Sequence, residues 1–163
     1  MKNKLLSVAL ALGLGISMNA QTAFNGNKDK KISISGTFQT GAKGLAVTFD
    51  KGVAENISVG IQAGYLLSFA GENTPTTGVR AHVAARFNAN IGNTIGLPSN
   101  MDIYPGLNLG LKNFGGHLGY RLLLNGFGLY SEVIFPISKY GSSNYANLNN
   151  QSTVHVGVVL GLN

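Results

Sequence analysis

Beyond residue 30 the chain repeats apolar side chains at every second position and nowhere sustains them at i, i+3, i+4 and i+7. Period two sends neighbouring side chains to opposite faces of a sheet, so the pattern confines the chain to strands. The longest run sets Ile57, Val59, Ile61, Ala63, Tyr65, Leu67 and Phe69 against Ser58, Gly60, Gln62, Gly64, Leu66 and Ser68. Runs of the same form cover 32–39, 45–50, 79–88, 101–111, 117–122, 129–135 and 153–162, eight in all. An even number of strands, each near the roughly 10 residues that cross an apolar band about 25 Å tall, predicts one fold. It is all-β: an eight-stranded antiparallel up-and-down transmembrane β-barrel. Asn125-Gly126 is a two-residue hairpin signal, and Thr40-Gly41 and Lys112-Asn113 mark further tight turns.

The two faces decide which side of such a barrel meets what. One carries Ile, Val, Leu and Phe; the other carries Asp50, Arg80, His82, Arg86, Asp102, His117, Arg121, Glu132 and His155 among many of the 23 glycines. Pointing the charged face at water would leave the apolar face to fill a barrel with no second layer, and burying it without partners would be costly. Inverting the barrel removes both difficulties: lipid covers the apolar face, and those charged and histidine side chains form an interior polar network. Counting back from the Asn125-Gly126 turn sets Gly119 opposite Glu132 with Arg121 on its diagonal, and similar counting sets Arg86 near Asp102. Phe38, Phe69, Phe114 and Phe135 at one end, and Phe49, Phe87 and Phe127 at the other, share the apolar parity and read as an aromatic girdle. Pro105 falls inside the fifth strand and requires a bulge or an unpaired position. The connection 89–100 carries Ile91, Ile95 and Leu97, which are expected to fold back against the rim.

The N-terminus has a different grammar. Lys2 and Lys4 precede an apolar run from Leu5 to Ile16, and small residues end at Ala20. That is the form of a Sec signal peptide over 1–20, too short in its apolar run to span a membrane. A short periplasmic segment, 21–30, and the barrel domain, 31–163, are expected to follow. The absence of Cys excludes disulfide scaffolds, thiol nucleophiles and Cys-based metal sites. The net charge of +6 is scattered, with no stripe of aromatic and basic residues for nucleic acid.

Gly119-Tyr120-Arg121, followed by Asn125-Gly126-Phe127-Gly128-Leu129-Tyr130-Ser131-Glu132-Val133, resembles the late hairpin of small bacterial outer-membrane β-barrel proteins. That group is OmpX-like or OmpA-barrel-like, a porin-family type of outer-membrane domain. Leu97-Pro98-Ser99, leading into Asp102-Ile103-Tyr104-Pro105-Gly106-Leu107-Asn108-Leu109-Gly110, is similar to it as well. The resemblance implies integral residence in the bacterial outer membrane, with lipid and the barrel-assembly machinery as partners. Such barrels commonly end in an aromatic residue, and this chain departs from that with Leu160-Gly161-Leu162-Asn163.

Chemistry is sparse in this sequence. Ser152 and His155 fall on opposite faces of a strand, and neither His82 nor His117 has a Ser two residues on, so the Ser-His pairing of lipid-modifying enzymes is not formed. The three histidines lie on three different strands, so no metal site and no cofactor are expected. Loops 70–77 and 137–151, with Lys139, Tyr140 and Tyr145, are the candidate surface contacts for an extracellular ligand or surface. The expected role is non-enzymatic: a structural or adhesion-like outer-membrane barrel of the cell envelope. The alternatives are a narrow channel for ions or very small solutes and, less favoured, a lipid-modifying enzyme.

Overall fold

The structure is a computed structural model that describes residues 22–70, 75–124, 127–140 and 148–162. The signal segment, the Asn125-Gly126 turn, Tyr145 and Asn163 lie outside the described residues. Eight strands follow one another: β1 (Lys30–Gln39), β2 (Ala42–Ala54), β3 (Ile57–Phe69), β4 (Ala81–Ala89), β5 (Met101–Gly110), β6 (Asn113–Leu124), β7 (Phe127–Lys139) and β8 (Thr153–Gly161). Each pairs antiparallel with its chain neighbours, and β1 pairs with β8 from Lys31↔Gly161 to Gln39↔Thr153, which closes the barrel. Closure leaves no edge strand to pair with another chain.

The lower end of the barrel is the one where both described termini lie. The turns at 40–41 and 111–112 and the segments 75–80 and 148–152 lie at the upper end. Gly41 takes φ +74 in the first of these turns, a conformation L side chains rarely adopt. The barrel is inverted relative to a soluble one: Ile61 and Leu129 on the outer wall are 54% and 57% exposed, whereas Arg86 and Glu132 inside are 4% and 1% exposed.

The glycines explain how a narrow lumen holds large side chains. A Cβ at Gly119 would run into the ring of Tyr104 directly across the β5–β6 ladder, and one at Gly106 would meet the ring of His117. Gly60 stands in the same relation to Asp50 across β2–β3. A bulky inward residue is thus matched by a glycine on the next strand, which is the large-to-small complementarity that fills a small barrel. On the outer wall the relation recurs with aromatics, the Phe135 ring lying over Gly116 opposite it.

Some expectations are corrected. The fourth strand begins at Ala81, because Thr77–Arg80 forms a single helical turn, α1, and Arg80 leaves the interior. An extra residue at Leu67 shifts the β2–β3 register, so Phe69 stands opposite the buried Ala42 and leaves the outward parity of the other girdle phenylalanines. The seventh strand runs on to Lys139, taking residues 137–139 out of the loop. Asn113 opens β6, leaving 111–112 as the turn. Pro105, by contrast, sits as expected at a position unpaired on its β4 side: it pairs opposite Leu118, one residue beyond the last β4 rung, Asn88↔Gly106, so its missing N–H interrupts no β4 ladder.

Residues 22–29 are a stopper. Ala23 enters the lower mouth and packs with the inward Leu123, Tyr130 and Val159. Its N–H donates to the Ser99 carbonyl at 2.6 Å, joining the stopper to the β4–β5 connection. That connection does fold back: Leu97 N–H bonds Gly92 O, Ile91 N–H bonds Ile103 O, and Leu123 N–H bonds Asn100 O. Ile91 and Leu97 are half-buried there, while Ile95 stays exposed.

Candidate functional site

The candidate site is the lumen itself. Its centre is Arg86 on β4, whose guanidinium reaches Glu132 on β7 through Nη1 at 3.1 Å and Nη2 at 2.5 Å. The same guanidinium meets Asp50 on β2 through Nε at 3.2 Å. One cation therefore ties together strands on three sides of the barrel, in a fork geometry that only arginine offers. His117 closes the group, with Nε2 2.8 Å from Asn88 Oδ1 and its ring edge-on to Tyr104 at 6.1 Å. Asn88 donates to Asp50 at 3.0 Å and to Ser58 at 2.9 Å.

Below this centre lies a second pair. Arg121 faces Asp102 directly across β5–β6, with Nε 3.6 Å from Oδ2, and its Nη2 donates to Asn90 Oδ1 at 3.2 Å. Its guanidinium also lies 4.0 Å from the Tyr104 ring. Asp102 accepts from the Gly92 N–H at 2.9 Å, which pins the β4–β5 connection to the lumen. Deeper still, Lys31 pairs with Asp29 of the stopper, both 1% exposed, and its ammonium lies 5.9 Å from the Phe24 ring.

The expected ion pairs are thus exchanged. Glu132 belongs to Arg86, not Arg121, and Asp102 belongs to Arg121, not Arg86. Diagonal counting on one hairpin misses a side chain that crosses the lumen from a strand that is not a neighbour. Asp50, Arg86, Asp102, His117, Arg121, Glu132 and His155 are buried together as the parity predicts. Lys31, Asn88, Asn90 and Asn108 are buried members as well: alternation puts Asn88 and Asn108 on the inward face, whereas Lys31 precedes the run that opens at Ile32 and Asn90 lies past the end of β4.

Arg80 is the member the lumen does not contain. From α1 its Nε donates to Leu66 O at 2.9 Å, and its guanidinium sits 4.6 Å from the Tyr65 ring and 5.2 Å from the Phe69 ring. His82 remains inward but only half-buried, at the upper end. There a cavity of about 30 Å³ is lined by His82, Asn108, His155, Thr37 and Gln62, room for on the order of one water. His155 Nε2 is 3.1 Å from Thr37 Oγ1, and Gln62 donates to Thr48 at 3.2 Å.

Residues 148–152 roof this cavity. Asn149, at φ +62, donates its side chain to Val79 O at 3.0 Å, Asn113 donates to Asn149 O at 2.5 Å, and Gln151 donates to Thr40 O at 2.7 Å. Lys112 reaches Val79 O and Ala81 O, both at 2.6 Å, and partial burial lowers its pKa from the ordinary lysine value. Of the candidate surface contacts, Lys139 and Tyr140 are exposed near this roof. Among the described residues, no group of three or more His, Cys, Asp or Glu is placed to hold a metal ion.

A model of a family of unknown function, DUF6646, matches residues 13–162. No curated protein and no solved structure matches the chain.

Proposed function

The chain belongs to this family of unknown function, and we propose that it is a non-enzymatic integral protein of the bacterial outer membrane with a sealed lumen. It would act as a structural element of the envelope or as a surface-contact protein through its upper loops. The single observation that carries the reading is the inversion of the barrel: a continuous apolar outer wall surrounds buried charges. In water such a wall would be a far larger apolar patch than monomeric soluble proteins expose, whereas in a bilayer it is the required surface. An outer-membrane address is further supported by the form of residues 1–20 and by the resemblance of the β6–β7 segment to small outer-membrane barrels.

Surface contact rather than transport is supported by the filled lumen. Arg86, Glu132 and Asp50 span it at the centre, and residues 22–29 stop the lower mouth. The test is fractionation of the expressing cell followed by gel electrophoresis with and without boiling. The protein should be recovered with the outer membrane and migrate differently before and after heating, as closed barrels do when detergent alone leaves them folded. Recovery in the soluble periplasm would overturn the reading.

A further inference from the structure

The outer wall is not uniform. Directly paired residues of β2 and β3 stack down its upper half as Lys43↔Ser68, Leu45↔Tyr65 and Val47↔Ala63. Ala63 is the small member of this column, and its short side chain leaves a groove of about 250 Å³ between Leu45, Val47 and Tyr65, open to the outside. A groove of that form on a lipid-facing wall suits a hydrocarbon chain, which is linear, flexible and apolar.

The groove's upper end is cationic. Lys43 is exposed at the head of the column with the Ser68 hydroxyl opposite it. Across β3 from Lys43, Arg80 is held in place by the Leu66 carbonyl and by the Tyr65 ring, which is also a wall of the groove. Neighbouring strands lie about 4.8 Å apart, so β2 and the start of β4 stand about 10 Å apart on either side of β3, a gap that a lysine and an arginine side chain can close on one phosphate. No acidic side chain among the described residues lies at this rim: Asp29, Asp50, Asp102 and Glu132 are buried in the barrel, and Glu55 is in the turn at the opposite end. The sixth carboxylate, Glu72, lies outside the described residues.

Resting on the membrane reading above, we propose that this wall is a binding site for a phosphorylated lipid, with the phosphate between Lys43 and Arg80 and an acyl chain in the groove at Ala63. The helical turn α1 then has a function. It lifts Arg80 out of the strand, where period two would have pointed it into the lumen, and sets it at headgroup height beside an aromatic ring. Guanidinium and ammonium groups bind phosphate by charge-assisted hydrogen bonds, and the apolar groove beneath distinguishes a lipid from a free anion.

The test uses the full chain refolded into phosphatidylcholine vesicles that contain a trace of chain-spin-labelled phosphatidic acid or chain-spin-labelled phosphatidylcholine. Electron paramagnetic resonance reads the motionally restricted fraction of each. Phosphatidic acid should be preferred by about fivefold for each cation engaged. Lys43→Gln with Arg80→Gln should abolish the preference, Lys51→Gln at the opposite rim should leave most of it, and millimolar inorganic phosphate at constant ionic strength should not remove it. Ala63→Phe, which fills the groove on the lipid face and touches neither cation, should lower it, and this variant decides the matter if the double variant does not refold. Equal binding of the two lipids, an unchanged preference in either the double variant or Ala63→Phe, or displacement by inorganic phosphate overturns the site. If the wild-type chain enters neither vesicle, the membrane reading itself falls. Entry without preference removes only the lipid site.

Discussion

Arg86 shows how much depends on a single side chain in this lumen. It is buried with two carboxylates, and removing it would leave Glu132 and Asp50 buried without their cation. Arg86→Leu should therefore cost about 3–5 kcal/mol in urea unfolding from vesicles. Adding Glu132→Leu should restore part of that loss, because the second substitution removes one of the two stranded charges. An equal loss in the single and double variants would show that shape rather than charge is at stake. The glycines carry the complementary prediction. Gly119→Val should destabilise by about 1–3 kcal/mol, because Tyr104 already occupies the space, and Tyr104→Gly in the same chain should relieve the clash. If Gly119→Val unfolds at the same urea concentration as the wild type, the large-to-small matching is not what fills the barrel. Inward parity made Arg86, Glu132 and Asp50 legible as lumen residues, but nothing local says which partner each will find.

At the scale of elements, the segment 22–29 is the least expected part of the fold. Its sequence holds few apolar residues, so no periodicity announces it, yet Ala23 and Phe24 are buried and Asp29 pairs inside the barrel with Lys31. The short helical turn at Gly26–Lys28 hangs between these anchors with Lys28 exposed. Ala23→Glu would bury an unpaired carboxylate beside Leu123, Tyr130 and Val159, so the segment should detach. Trypsin cleavage after Lys28 should then quicken by about tenfold or more, since protection follows the free energy of local opening. Equal cleavage rates would mean that the segment is already loose in the wild type. The β4–β5 connection is of the same kind: a rim contact is suggested by Ile91 and Leu97, but its anchor is Asp102, which holds Gly92 from inside the lumen. α1 and the extra residue at Leu67 are also element-scale events, and together they move Arg80 and Phe69 from the positions that strict alternation assigns.

For the whole molecule, the closed ring of strands and the three levels of lumen filling give one expectation: no ion path. In planar bilayers the wild-type protein should show no resolved single-channel openings, and steady openings would favour the narrow-channel alternative over the sealed barrel. Openings confined to a chain carrying both Arg86→Ala and Ala23→Glu would locate the seal at the central pair and the stopper. The alternation of apolar and polar residues settled the strand number, the inverted faces and most of the lumen, from Asp50 to His155, because in a strand the direction of a side chain is a local property of the backbone. Lys31, Asn88 and Asn108 follow the same rule, whereas Asn90 lies past the end of β4, where alternation no longer sets direction. Tertiary structure alone decided that Arg86 meets Glu132 and Asp50, that Arg121 meets Asp102, that residues 22–29 seal the lower end, and that Arg80 stands at the rim. These depend on register between strands, on a bulge and on side chains that cross a lumen existing only once β1 has met β8. A linear pattern fixes which way a residue points; what it touches is fixed by closure.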